Sequence, residues 1–257
     1  MRRIYERALN TVIWLGEASA TSARGLGLLH DLASRLQFDT PCSGPADFRA
    51  LGMPPADSLS WVGLWDVLTR PWFKRVWVIQ EISASRDAWV FCGSDYISWE
   101  RVDFTCNHFR GQGINGWLRR QFAGDNPDDN DDDDDDTDVF GTTVELSHIR
   151  LIYQTRNEGH SLFDVLVQSR ASLCSDARDK VYGVLSLCSE DEAASVPVSY
   201  KPDYPAEALY CHVMAKALEK RAFRLPKVLA CVDHEPSVAG LPSQSSPTGI
   251  QPLQTRY

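Results

Sequence analysis

Val12-Ile13-Trp14-Leu15-Gly16 is the stretch on which the fold turns. Four apolar residues in a row, too few for a helix and closed by a glycine, read as a strand buried on both sides. Just upstream, residues 1–10 place Ile4, Tyr5 and Ala8 on one face, as the last turns of a helix do. A helix feeding a continuous apolar strand predicts an α/β layer. So short a helix leading directly into a central strand is an unusual opening for a domain, which predicts a sheet incomplete on its N-terminal side.

Working outward, residues 19–36 read as a helix with Leu28, Leu29, Leu32 and Leu36 on its core face. Residues 37–57 hold prolines, glycines and polar groups and read as a loop. Ser58 or Ser60 can cap the next helix, where Trp61, Leu64, Trp65 and Leu68 fall at i, i+3, i+4 and i+7. Residues 88–92, ended by Gly93, read as a second buried strand, and Ile97-Ser98-Trp99 leads into a short helix. Gly111-Gln112-Gly113-Ile114-Asn115-Gly116 follows no strand and reads as a flexible loop, not a phosphate cradle. Further helices are expected near 144–153, 161–168 (Ser161 as cap), 178–188 and 206–220.

The formal charge of −9 is local. Ten aspartates lie between Asp125 and Asp138, and taking them away turns −9 into +1. Like charges in a block repel one another and resist burial, so residues 124–140 are expected to be a disordered acidic insert. An unbroken aspartate run also lacks the spaced oxygens, turn glycine and closing glutamate of a calcium loop. No basic face remains to point to nucleic acid. The seven cysteines include no CxxC pair, and the six histidines have no metal-ligand spacing, so neither a disulfide framework nor a metal is expected. No run is long and apolar enough to span a membrane, and no signal peptide opens the chain, which predicts a cytoplasmic protein. From 235 to 257 the composition predicts a disordered tail.

None of the usual hydrolase, zinc-protease, Walker or dinucleotide motifs occurs. Cys174 and Cys188 become nucleophile candidates only beside a base that spacing cannot supply. Two polar clusters stand out instead. Arg70-Pro71-Trp72-Phe73-Lys74-Arg75-Val76-Trp77-Val78-Ile79-Gln80-Glu81 sets three cations, two tryptophans, Gln80 and Glu81 among three aliphatics, Pro71 and Phe73. It reads as one helix started by Pro71, although Val76-Trp77-Val78-Ile79 equally suits a strand. Its polar groups either satisfy one another, with Arg75 paired to Glu81, or line a ligand pocket. In Arg178-Asp179-Lys180-Val181-Tyr182 the cations sit at the wrong end of a helix dipole, so Arg178 is expected to find a carboxylate elsewhere in the fold.

In this order, the elements resemble the fungal heterokaryon-incompatibility (HET) domain over about residues 1–215. The carriers are Ile4-Tyr5-x-x-Ala8 with the strand through Trp14 and Gly16; the whole 70–81 block; Cys92-Gly93 with Trp99 after it; Arg178, Asp179, Lys180 and Tyr182; and Pro202-Asp203-Tyr204. The Ser-Tyr-x-Trp-Gly strand and Trp-x-Asp-x-x-Cys-Ile-Asn-Gln segment that open the family are not in the chain. The resemblance therefore implies a partial domain over residues 1–220. It would have helices packed around a small, mostly parallel sheet, TIR-like in one version. It implies an effector of non-self recognition that triggers programmed cell death through protein contacts or self-association, with no cofactor. Through the distant TIR relation it also implies an alternative, NAD cleavage with Glu81 as the candidate catalytic glutamate. An inactive remnant is a third possibility.

Overall fold

A computed structural model describes residues 2–36, 41–110, 112–122, 139–155 and 161–220. Helix α1 (Arg2–Arg7) leads into strand β1 (Thr11–Trp14). Four helices and a turn of helix then separate β1 from the next strand: α2 (Ser22–Arg35), α3 (Pro45–Phe48), α4 (Leu59–Leu68), α5 (Pro71–Lys74) and α6 (Val78–Ala84). Strands β2 (Ala88–Cys92) and β3 (Asp95–Ser98) follow, then α7 (Trp99–Phe109), α8 (Gly113–Phe122) and α9 (Gly141–Thr155). The last elements are α10 (Leu162–Gln168), α11 (Asp179–Leu185), α12 (Glu190–Ser195) and α13 (Ala206–Lys220). The α/β class is as the sequence implies. The sheet has the order β1-β2-β3, with β1 and β2 parallel and β2 and β3 antiparallel.

Ile13 pairs with Val90 and Val90 with Ile97, and all three are buried on the face toward α2 and α7. The opposite face corrects the expectation of a strand covered on both sides. There Val12 is 63% exposed and Trp14 50%, and they align with half-buried Trp89 and Phe91 and then with exposed Tyr96. An apolar run says that side chains can be buried, not that anything covers them. Val12 and Trp14 sit on an edge strand whose outer backbone groups have no strand partner among the described residues.

The core is continuous from Ile13 to Val213. Phe48 stacks on Trp61 at 4.7 Å, and Trp117 meets both rings edge-on at 5.1 and 5.3 Å, an arrangement that suits the ring quadrupoles. The 37–57 loop therefore contains α3, which delivers Phe48. Ser58 caps α4 by accepting from the Ser60 N–H. Ser161 does not cap α10; the Glu192 carboxylate does, accepting from the Leu162 N–H at 2.6 Å.

Three further expectations are corrected. The 70–81 block is two short helices, not one. Arg75 is extended (φ −83°, ψ 132°), and its neighbours bond across to Leu173: Val76 N–H to the Leu173 carbonyl at 2.9 Å, Leu173 N–H to the Lys74 carbonyl at 2.5 Å. The β-branched run won a long-range backbone pairing that no local pattern announces. Second, Gly113 opens a helix instead of lying in a loop. A Cβ there would stand 2.1 Å from the Ser43 carbonyl oxygen, so this glycine permits close approach. Third, the acidic insert cannot reach residue 140, because Val139 and Phe140 are buried. The rest of the insert (124–138) and the 235–257 tail lie outside the described residues. No described helix is long and apolar enough to cross a membrane.

Candidate functional site

The motif residues gather at two places. The first is the C-terminal end of the parallel strands. Gly16 turns the chain out of β1 with φ +105°, a backbone state that side chains rarely adopt. Its carbonyl accepts from the Gly93 N–H at 2.9 Å, tying the ends of β1 and β2 together. Gly93 is itself at φ +58°, with Ala18 where its Cβ would be. Arg70 reaches in from the end of α4. Its Nη1 donates to the carbonyls of Glu17 (3.1 Å) and Leu15 (3.4 Å), and its Nη2 pairs with Asp66 at 3.0 Å. Burial alone would raise the Asp66 carboxyl, but hydrogen bonds from Ser19 and Arg70 outweigh it and hold the group below the ordinary range. Cys92 is buried, with its thiol toward the Glu17 carbonyl. Asp66, which the motif reading missed, stands four residues before Arg70, the ordinary helical spacing for an ion pair.

The second place joins the two polar clusters. Gln80 is buried, and its amide donates to the Gly183 carbonyl at 2.6 Å and toward that of Tyr182 at 3.4 Å. The Trp77 indole donates to Asp179 at 3.2 Å. Gly183 lets Val76 close in, since a Cβ there would sit 3.0 Å from a Val76 methyl. Lys180 donates to the Arg170 and Ser172 carbonyls, steadying the segment that pairs with Arg75. Arg178 finds its carboxylate not far away but two residues back, in a two-pronged pair with Asp176 at 2.9 and 2.7 Å. That proximity offsets the unfavourable helix end. Its remaining nitrogen holds the carbonyls of Lys201 and Tyr204, so Arg178 fixes the turn that carries Pro202 and Asp203. An open hollow of about 480 Å³ beside it is lined by Asp176, Arg178, Pro202, Pro205 and Glu207.

Glu81 lies apart from both. Burial raises its carboxyl above the ordinary 4.5, and the Trp72 indole and the Arg75 charge pull the other way without cancelling it. The Tyr5 phenol on α1 is raised by its own burial and then by the Glu81 charge. Arg75 is exposed and does not come within ion-pair distance of Glu81, so the expected pair is absent and only a longer-range attraction remains. A raised folded-state carboxyl favours folding while protonated, and that contribution is lost as pH climbs through the raised value. Glu81→Gln should therefore gain on the wild type, in urea midpoints, as pH rises from the ordinary carboxylate range until Glu81 is fully ionised. A gap independent of pH would contradict this. Burial likewise pushes the Cys188 thiol up to about 12 and raises that of Cys174, away from nucleophilic thiolate.

The segment that carries the glycine-turned strand end, the Arg70 clamp and Gln80 matches a described family of sequences. Residues 1–81 match the family model described as heterokaryon incompatibility protein (HET), which ends at Glu81. In that segment, about a third of its length, the chain is similar to HET-domain proteins. It is similar to heterokaryon incompatibility protein 6, OR allele, of Neurospora crassa: 24% identical over 162 residues, 62% of this chain and 23% of that protein. The chain thus spans under a quarter of the relative's length. No solved structure matches it.

Proposed function

We propose that the chain is a module of fungal heterokaryon incompatibility, an effector of non-self recognition that provokes cell death through protein contacts in the cytoplasm. The family match over residues 1–81 carries this reading, and the printed role of the Neurospora relative agrees with it. The motif residues favour contact over chemistry. Arg70, Gln80, Arg178, Asp179, Lys180 and Tyr182 spend most of their polar atoms on backbone carbonyls and on Asp66, Asp176, Trp77 and Tyr200. What stays open is the aromatic sheet face with its edge strand, a surface suited to strand addition or self-association.

Expression in a fungal host tests this. The wild-type chain should kill. Trp14→Lys, at an exposed site where charge costs little stability, should spare cells and reduce association in vitro. Unimpaired killing by Trp14→Lys would remove the role of that face; viable cells at full wild-type expression would remove the effector reading. The raised Glu81 carboxyl is the single observation that favours NAD cleavage. If Glu81→Gln expression kills as wild type does while cellular NAD stays level in both, that alternative is lost.

A further inference from the structure

Residues 196–205 join α12 to α13 and contain neither helix nor strand. Val196 is buried at one end, but Val198 is 63% exposed and Tyr200 50%, so little apolar area holds the segment down. Its polar anchors come from Arg178 and the first turn of α11, while Tyr204 packs half-buried against the core near the far end. The Tyr182 hydroxyl accepts from the Ser199 N–H at 3.0 Å and lies 3.1 and 3.3 Å from the Ser199 and Pro197 carbonyls. Arg178 holds two carbonyls farther along, and its guanidinium stands 5.1 Å from the Tyr200 ring centroid. The Tyr200 hydroxyl donates to Asp179 at 2.5 Å, and the Tyr200 ring meets Tyr182 edge-on at 5.2 Å. The other Asp179 oxygen takes the Trp77 indole N–H. One carboxylate thus links this segment to the 70–81 block.

We infer that residues 196–205 form a latched strap, held over the junction of the two motif clusters by the Asp179–Tyr200 hydrogen bond and the Tyr182 anchor, and that it opens as a unit while the rest of the protein stays folded. Segments with few buried apolar contacts open far more readily than the core around them. Burial first, and then the bond to Asp179, hold the Tyr200 phenol well above its ordinary range, in keeping with a hydroxyl committed to that carboxylate. Opening bares the buried Tyr182 ring together with more of Asp179 and the Trp77 edge, both half-buried in the closed protein. The inference stands independently of the proposed role in incompatibility.

Hydrogen exchange of the full chain tests it, with Tyr200→Phe as the probe. That variant keeps the ring over Arg178 and against Tyr182 and loses only the bond to Asp179. A hydrogen bond to a charged acceptor governs the opening, so exchange in 196–205 should rise roughly ten-fold or more. Chymotrypsin, which still recognises position 200, should cut there faster by a similar factor. The urea midpoint of the whole protein should hardly move. Tyr182→Phe should raise exchange in the same segment. Unchanged exchange in Tyr200→Phe would overturn the inference, as would a uniform rise across the protein tracking a lower midpoint.

Discussion

Replacing Gly63 by alanine is expected to destabilise the protein by about 3 kcal/mol or more, one of the largest effects any single methyl group can have in it. Helices α2 and α4 cross with their backbones in contact at Gly25 and Gly63. A Cβ on Gly63 would lie 2.1 Å from the Thr21 carbonyl oxygen and 2.7 Å from the Gly25 nitrogen. Both are backbone atoms, so no side chain can swing aside and the helices must part. Parting them loosens Leu29, Trp61 and Leu64, each fully buried around the crossing. Gly27 provides the control: it is exposed on the same α2, with open space where its Cβ would be. Gly27→Ala should raise stability by up to about 1 kcal/mol through helix propensity. Urea midpoints read both. A Gly63→Ala protein within about 1 kcal/mol of wild type would show that the crossing can relax.

Gln80→Leu should cost about 2–3 kcal/mol, although leucine nearly matches the shape and is the more apolar residue. The Gly183 carbonyl would lose its 2.6 Å donor in a place water cannot reach. An unmade buried hydrogen bond costs more than a made one contributes. The damage should be local to the junction, so exchange protection in α11 should fall before that of β2. A Gln80→Leu protein as stable as wild type would mean the two clusters are held by packing alone, through Val76 and Gly183.

The sequence made some of this legible. Trp61, Leu64 and Leu68 announced α4 because helical spacing is a local property, and Ser58 announced its cap for the same reason. Gly16 and Gly93 marked strand ends because each needs a backbone state that only glycine adopts easily. The break at Arg75 was hidden, since its cause is Leu173, nearly a hundred residues away. The open sheet face was hidden too: Val12 and Trp14 are as apolar as buried residues, and coverage is decided by what else packs nearby. For the site, the motif spacing picked out residues that do meet, but not their chemistry. Arg178 looked unpaired only because Asp176, two positions earlier, fell outside the quoted motif.

The long excursion between the two parallel strands bears on how the molecule is made. Thr11 aligns with Ala88 and Trp14 with Phe91, so β1 cannot acquire its neighbour until the ribosome has extruded the polypeptide well past Cys92. The family match stops at Glu81, before β2 begins. A nascent chain released at that boundary would carry Trp14 and Ile13 with nothing to pair against. Glu81 is thus not a place where synthesis can pause with a finished folding unit. Loop closure over so many residues is slow, and chaperone contact with the early segment is the natural consequence.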